Sequence, residues 1–141
     1  MKEYKSFSEN DTMNIAQEIC TFVSAGTVVA FSGGMGMGKT AFVRGALKAY
    51  GNESFVSSPT FSLVHDYGGN PKVYHFDMYR VTDLDDLYST GFFDYLDDSS
   101  VLFIEWSENI ISALPENTVF VDISQGDNAE ERIIKVSGGE F

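Results

Sequence analysis

Residues 27–50 read TVVAFSGGMGMGKTAFVRGALKAY, and three successive patterns in that stretch decide the fold. Thr27 to Phe31 is an unbroken apolar run of the kind that forms a buried strand. Gly33 to Gly38 is a glycine-rich turn, and Lys39 to Tyr50 has helical composition, with Gly51 as its stop. Within this strand, loop and helix, residues 33–40 satisfy G-x-x-x-x-G-K-[ST] at every position. The glycines allow backbone N–H groups to turn inward around phosphate oxygens, and the following helix presents its positive end to the same anion. Gly33, Met35, Gly36, Met37 and Gly38 are therefore the expected phosphate cradle. Lys39 is placed for the β- and γ-phosphates, and the Thr40 hydroxyl for magnesium. The expected ligand is ATP or GTP with Mg2+.

Outward from the loop, Ser8 to Ala25 reads as a helix, with Ser8 as N-cap, Asp11 three residues later in an approximate capping box, and Gly26 as its end. The single cysteine, Cys20, falls with Ile15, Ile19, Phe22 and Val23 on an apolar face, which assigns it to core packing. After the phosphate-loop helix come an extended segment through Ser57, Ser58, Pro59 and Thr60 and a hairpin of Phe61 to Tyr67 with Lys72 to Phe76. Asp83 to Tyr88 reads as a helix with Leu84 and Leu87 inward, broken at Gly91, and Phe92 to Leu96 as a further short turn. Val101 to Ile104 is a doubly buried strand closing on Glu105. Val119 to Ile123 and Arg132 to Val136 read as late antiparallel strands.

Nucleotide chemistry also needs an acid near the metal and a group to orient the attacking oxygen. Ligands of parallel sheets gather at the carboxyl ends of strands. Two acids end predicted strands: Asp77 after Val-Tyr-His-Phe, and Glu105 after Val-Leu-Phe-Ile. Either could hold magnesium. Thr60, arriving from the loop after the phosphate-loop helix, is a candidate sensor of the γ-phosphate.

Composition bounds the rest. A chain of 141 residues with 43% hydrophobic content closes one core, so one domain over residues 1–141 is expected. A net charge of −12 with only nine lysines and arginines argues against a grip on DNA or RNA by this chain alone. His65 and His75 lack Cys or His partners at zinc-ligand spacing. With no apolar run long enough to cross a bilayer and a polar start, an intracellular protein without membrane contact is expected.

Taken together the residues resemble the TsaE family, formerly called YjeE. The resemblance runs from about Ser8 to Pro115. It is carried by Gly-Met-Gly-Lys-Thr followed by Ala-Phe-Val-Arg-Gly at 41–45, by Ser58-Pro59-Thr60-Phe61-Ser62-Leu63-Val64, by His75-Phe76-Asp77-Met78-Tyr79-Arg80, by Leu87 with Gly91, and by Ile104-Glu105-Trp106. The resemblance implies an α/β fold, a P-loop NTPase domain with a central mixed, mainly parallel sheet flanked by helices. It implies ATP as the nucleotide, slow magnesium-dependent hydrolysis and a cytoplasmic role in tRNA threonylcarbamoyladenosine formation. TsaD and TsaB are the implied partners, TsaD performing the transfer and tRNA being met only through the complex. It further implies that Thr40 and Glu105 hold magnesium, that Thr60 belongs to a first switch, that Asp77 sits in a second switch and supports hydrolysis, and that Trp106 lies beside the site. Adenine contacts are expected near Ser8 to Thr12. Gly34-Met35 stand where the family usually has Asp-Leu, which removes a carboxylate near the phosphates.

Two other classes share these parts. A small-molecule kinase would use the same loop and acid, but Arg44, Arg80 and Arg132 are the only arginines and none lies in a lid-like insertion. A nucleotide-dependent docking module with incidental hydrolysis would differ in the dispensability of Asp77.

Overall fold

A computed structural model describes residues 1–33, 37–52, 64–78, 81, 83–105 and 107–141. The expectations placed on Gly34, Met35, Gly36, Thr60, Arg80, Trp106 and the segment from Phe61 to Leu63 lie outside the described residues. The strands are β1 Lys2–Ser6, β2 Val28–Ser32, β3 Val64–Gly68, β4 Lys72–Asp77, β5 Ser100–Glu105, β6 Val119–Gln125 and β7 Arg132–Gly138. The helices are α1 Glu9–Cys20, α2 Lys39–Ala49, α3 Leu84–Ser89 and α4 Phe92–Tyr95, with a 3₁₀ segment at Ser107–Ala113.

All seven strands join one sheet in the order β1-β7-β6-β2-β5-β4-β3. The four central strands, β6, β2, β5 and β4, run parallel, and β3, β7 and β1 are added antiparallel at the edges. The sheet is thus mixed as expected, with its parallel part confined to the centre. Central position explains composition: β2 and β5 are buried on both faces and read Val-Val-Ala-Phe and Val-Leu-Phe-Ile.

Strand alternation sends side chains to two cores. On one face Val29, Phe31, Val73, Val101, Phe103, Val121 and Ile134 pack against α1 and α2. On the other, Val28, Phe76, Leu102 and Ile104 meet Leu87, Phe92 and Ile110 from α3, α4 and the 3₁₀ segment. Each fully buried Phe or Leu contributes about 1.5–3 kcal/mol relative to exposure.

The helix α1 begins where the sequence places it: the Asp11 N–H donates to Ser8 Oγ at 3.0 Å. The reciprocal bond goes to Phe7, whose N–H donates to Asp11 Oδ2 at 3.0 Å, one residue before the cap itself. The helix ends earlier than Ala25, at Cys20 with Thr21 as C-cap. The Thr21 hydroxyl donates to the Glu18 carbonyl at 2.7 Å, and the N–H groups of Phe22 and Val23 bond to Ile19 and Cys20, three residues back, which tightens the chain out of α-helical geometry. That turn leaves Phe22 56% exposed, off the apolar face, while Cys20 and Val23 stay buried. Leu84, also expected inward, is 51% exposed, because the short α3 commits only Leu87 to the core.

The helices α1 and α2 approach unusually closely at Gly45. A Cβ there would stand 2.2 Å from the Met13 carbonyl oxygen. Only glycine lets the two backbones meet, and this contact holds α2, with the loop residues at its start, against α1.

Candidate functional site

The strand β2 delivers Ser32 and Gly33 to the start of the phosphate loop from the middle of the parallel strands. Two contacts from β6 brace that start. The Ser32 hydroxyl donates to Asp122 Oδ1 at 2.8 Å. Gly33 has φ +113°, and a Cβ on it would lie 2.2 Å from the Ile123 carbonyl oxygen, so no other residue fits between loop and strand. On the other flank the Ser107 hydroxyl donates to the Phe31 carbonyl at 3.2 Å.

The loop closes at Gly38, which has φ +105° and precedes α2; the first helical bond runs from the Phe42 N–H to the Gly38 carbonyl at 3.0 Å. Lys39 and Thr40 are thereby in the first turn of α2, at the positive end of an 11-residue helix. Lys39 is buried to 6% exposure and Thr40 is half-buried. An ammonium in such surroundings is stable only with anionic or hydrogen-bonding company.

Asp77 and Glu105 end the adjacent parallel strands β4 and β5 and are partners in register. Neighbouring strands lie about 4.8 Å apart, so the two carboxylates leave the sheet side by side. Strand alternation puts them on the face of Phe103 and Phe31. That face carries α2: the Phe31 ring meets Phe42 edge-on at 5.3 Å and stacks with Phe103 at 5.9 Å. Both acids therefore stand at the carboxyl ends of strands on the side from which α2 and the phosphate loop rise. The hydroxyl of Thr40 and these carboxylates are hard oxygen donors, the set magnesium prefers. Among the described residues no group of three His, Cys, Asp or Glu side chains could hold a metal by itself. Magnesium ordinarily takes one or two carboxylates and completes its shell with water and substrate phosphates, so the residues present fit that ion in company with a nucleotide.

A cavity of about 340 Å³ opens beside Met37 and Gly38. Its walls are Ser8, Glu9 and Thr12 from the start of α1, Ala41 from α2, Ala129 and Glu130 from the turn between β6 and β7, and Arg132 at the start of β7. Thr12 is anchored by a 2.7 Å hydrogen bond with Ser6, whose hydroxyl also contacts the Ser8 carbonyl at 2.8 Å. Arg132 is held by its Nη1 donating to the carbonyls of Ala129 at 2.7 Å and Glu131 at 3.0 Å. Ser8, Glu9 and Thr12, from the segment expected to contact adenine, line this cavity beside Met37 and Gly38.

Some neighbours of this site were not anticipated from sequence. Asp122 sits inside an alternating strand with no motif around it, and its link to Ser32 is a contact across 90 positions. Arg132 and Ala129 reach the cavity only because β7 folds back beside β6. His75 is wholly buried on β4, and its Nε2 lies 2.8 Å from Glu105 Oε2. Its sequence signals are a polar ring between Tyr74 and Phe76 and its place two residues ahead of Asp77 in the stretch that carries the family resemblance.

The family model described as Threonylcarbamoyl adenosine biosynthesis protein TsaE matches residues 6–134. A Haemophilus influenzae protein, tRNA threonylcarbamoyladenosine biosynthesis protein TsaE, is 40% identical over 103 residues, covering 72% of this chain and 65% of its own length. The Treponema pallidum protein of the same name is 35% identical, covering 84% of this chain and 87% of its own. That of Bacillus subtilis is 29% identical over 99% of this chain and 88% of its own. The crystal structure of YdiB from Bacillus subtilis superposes with a TM-score of 0.75 at 25% identity, covering 97% of this chain and 84% of that one. Because the family match takes in β2, the phosphate loop, α2 and both strands that end in acids, the chain belongs to the TsaE family.

Proposed function

We propose that this protein is a single-domain, cytoplasmic ATPase that binds ATP with magnesium at Gly33 to Thr40, hydrolyses it slowly, and thereby serves threonylcarbamoylation of tRNA adenosine together with TsaD and TsaB. The observation that supports this most is the register pairing of Asp77 and Glu105 at the carboxyl ends of parallel strands beside the strand that feeds the phosphate loop. The family's own description, a threonylcarbamoyl adenosine biosynthesis protein, supplies the pathway.

In this reading the backbone amides of residues 33–38, Met35 and Gly36 included, cradle the phosphates, and Lys39 contacts the β- and γ-phosphates. Thr40 and Glu105 would hold magnesium, which when bound neutralises charge on the phosphate oxygens during transfer. Asp77 orients the attacking water, and Thr60 senses the γ-phosphate. The cavity beside Met37 receives the base between Thr12 and Arg132, with Ser8 at its rim, and Trp106 belongs beside the site. Binding and orientation are the chain's main work, since phosphoryl transfer asks little covalent chemistry of the protein. The acidic surface suits a subunit that leaves contact with tRNA to its partners.

The test is reconstitution with TsaD, TsaB and tRNA. Asp77→Ala should keep ATP affinity and lose both hydrolysis and tRNA modification. If modification persists while hydrolysis is gone, the protein acts as a nucleotide-dependent docking module instead.

A further inference from the structure

We propose that His75 is the positioning residue for Glu105, fixing the carboxylate that the ATPase reading above assigns to magnesium. His75 is 0% exposed, and neither of its ring nitrogens has a hydrogen-bond partner among the described residues. Its neighbour on the same face of β4, Val73, and its register partner on β5, Phe103, are apolar; on its other side its β3 partner is His65, and the Tyr67 ring lies 6.4 Å away, yet neither gives a ring nitrogen of His75 a hydrogen bond. A buried polar group without a hydrogen bond costs about 1–3 kcal/mol, so packing alone would favour an apolar side chain of similar volume here. What the imidazole offers is its approach to Glu105: Nε2 and Oε2 are 2.8 Å apart, hydrogen-bonding length, although the N–H is not aligned with the oxygen.

That contact is built into the sheet. His75 lies two residues before Asp77 on β4, and Asp77 is in register with Glu105, so imidazole and carboxylate share a face one pleat apart on neighbouring strands. The Glu105 side chain is 12% exposed, at the boundary between core and site. The spacing suits an N–H donated to the carboxylate, a bond that is completed when the Glu105 headgroup turns towards the ring N–H. Tethering Oε2 from inside the core restricts the headgroup and leaves Oε1 to serve the metal in one direction. Carboxylates that ligate metals are commonly held in this way, and loss of such a partner typically costs about 10–100-fold in metal affinity.

The experiment measures ATP affinity by calorimetry with magnesium and with chelator for wild type, His75→Leu and His75→Gln, alongside thermal unfolding of each ligand-free protein. Leu fills the space without a donor; Gln restores an N–H near the Nε2 position. His75→Leu should retain its affinity in chelator and lose at least about tenfold of the magnesium-dependent gain, at a Tm no lower than wild type, while His75→Gln recovers most of that gain. An undiminished magnesium gain in His75→Leu, or an equal loss in a well-folded His75→Gln, overturns the assignment. If wild type itself shows no magnesium-dependent gain, the ATPase reading fails and this inference with it.

Discussion

Asp77 and Glu105 face the same side of the sheet as register partners on β4 and β5, two carboxylates where cross-strand neighbours are ordinarily of opposite charge or apolar. Two carboxylates leaving neighbouring strand ends side by side suit the sharing of a cation. Replacing Glu105 by Gln should abolish the magnesium dependence of ATP binding, measured by calorimetry with magnesium and with chelator. Unchanged magnesium dependence would pass the metal role to Asp77.

Gly45 answers to a backbone atom, the Met13 carbonyl oxygen 2.2 Å from where a Cβ would be, and no side-chain rotation can relieve that clash. Gly45→Ala should push α1 from α2 at a cost of about 1–3 kcal/mol or more, even though alanine is the better helix former. Denaturant unfolding measures it; a stabilised variant would show that the helices are not in such close contact.

Burial pushes the Cys20 thiol up to about 12, opposed only in part by hydrogen bonding with Tyr50. The folded value lies above that of the unfolded chain, so this contribution to stability is complete below pH 9 and falls as pH rises from 9 towards 12. Three pH units correspond to about 4 kcal/mol at most. Unfolding titrations in that window should show the decline, and Cys20→Ala should lessen it between pH 9 and 10, the remainder at higher pH coming from Tyr50, whose hydroxyl burial also pushes up. A thiol reagent at pH 8 should leave the folded protein unmodified; rapid labelling would contradict the buried assignment.

Ala129 is exposed on the turn that closes the cavity beside Met37. If that cavity takes the base, Ala129→Trp should weaken ATP binding and leave inorganic tripolyphosphate binding unaltered, as competition assays can show. Equal effects on both ligands would move the base elsewhere.

How far the sequence went depended on how local each signal was. The strand at Val28, the helix at Lys39 and the cap at Ser8 rest on contiguous residues, and each formed where the pattern placed it. The strand β1 went unread because Lys-Glu-Tyr-Lys-Ser has almost no apolar alternation; as an edge strand it needs only Tyr4 and Ser6 inward, and its lysines suit an unpaired edge. The end of α1 was misplaced because Thr21 competes for the Glu18 carbonyl, which composition averaged over Ser8 to Ala25 does not register. In the site, Asp77 and Glu105 were legible as strand-end acids, whereas Asp122, Arg132 and His75 required knowledge of which strands become neighbours. Pairing across the sheet, rather than any local motif, creates their roles.

Lys39, at the start of α2, is the side chain on which the proposed grip of a triphosphate depends. Calorimetric titration of wild type and Lys39→Ala with ATP in millimolar magnesium tests this most directly. Wild type should bind and the variant should lose on the order of 100-fold in affinity, the equivalent of two charge-assisted hydrogen bonds of about 1.5 kcal/mol each, with a native-like Tm. Equal affinity in the two proteins, or none in wild type, would contradict it.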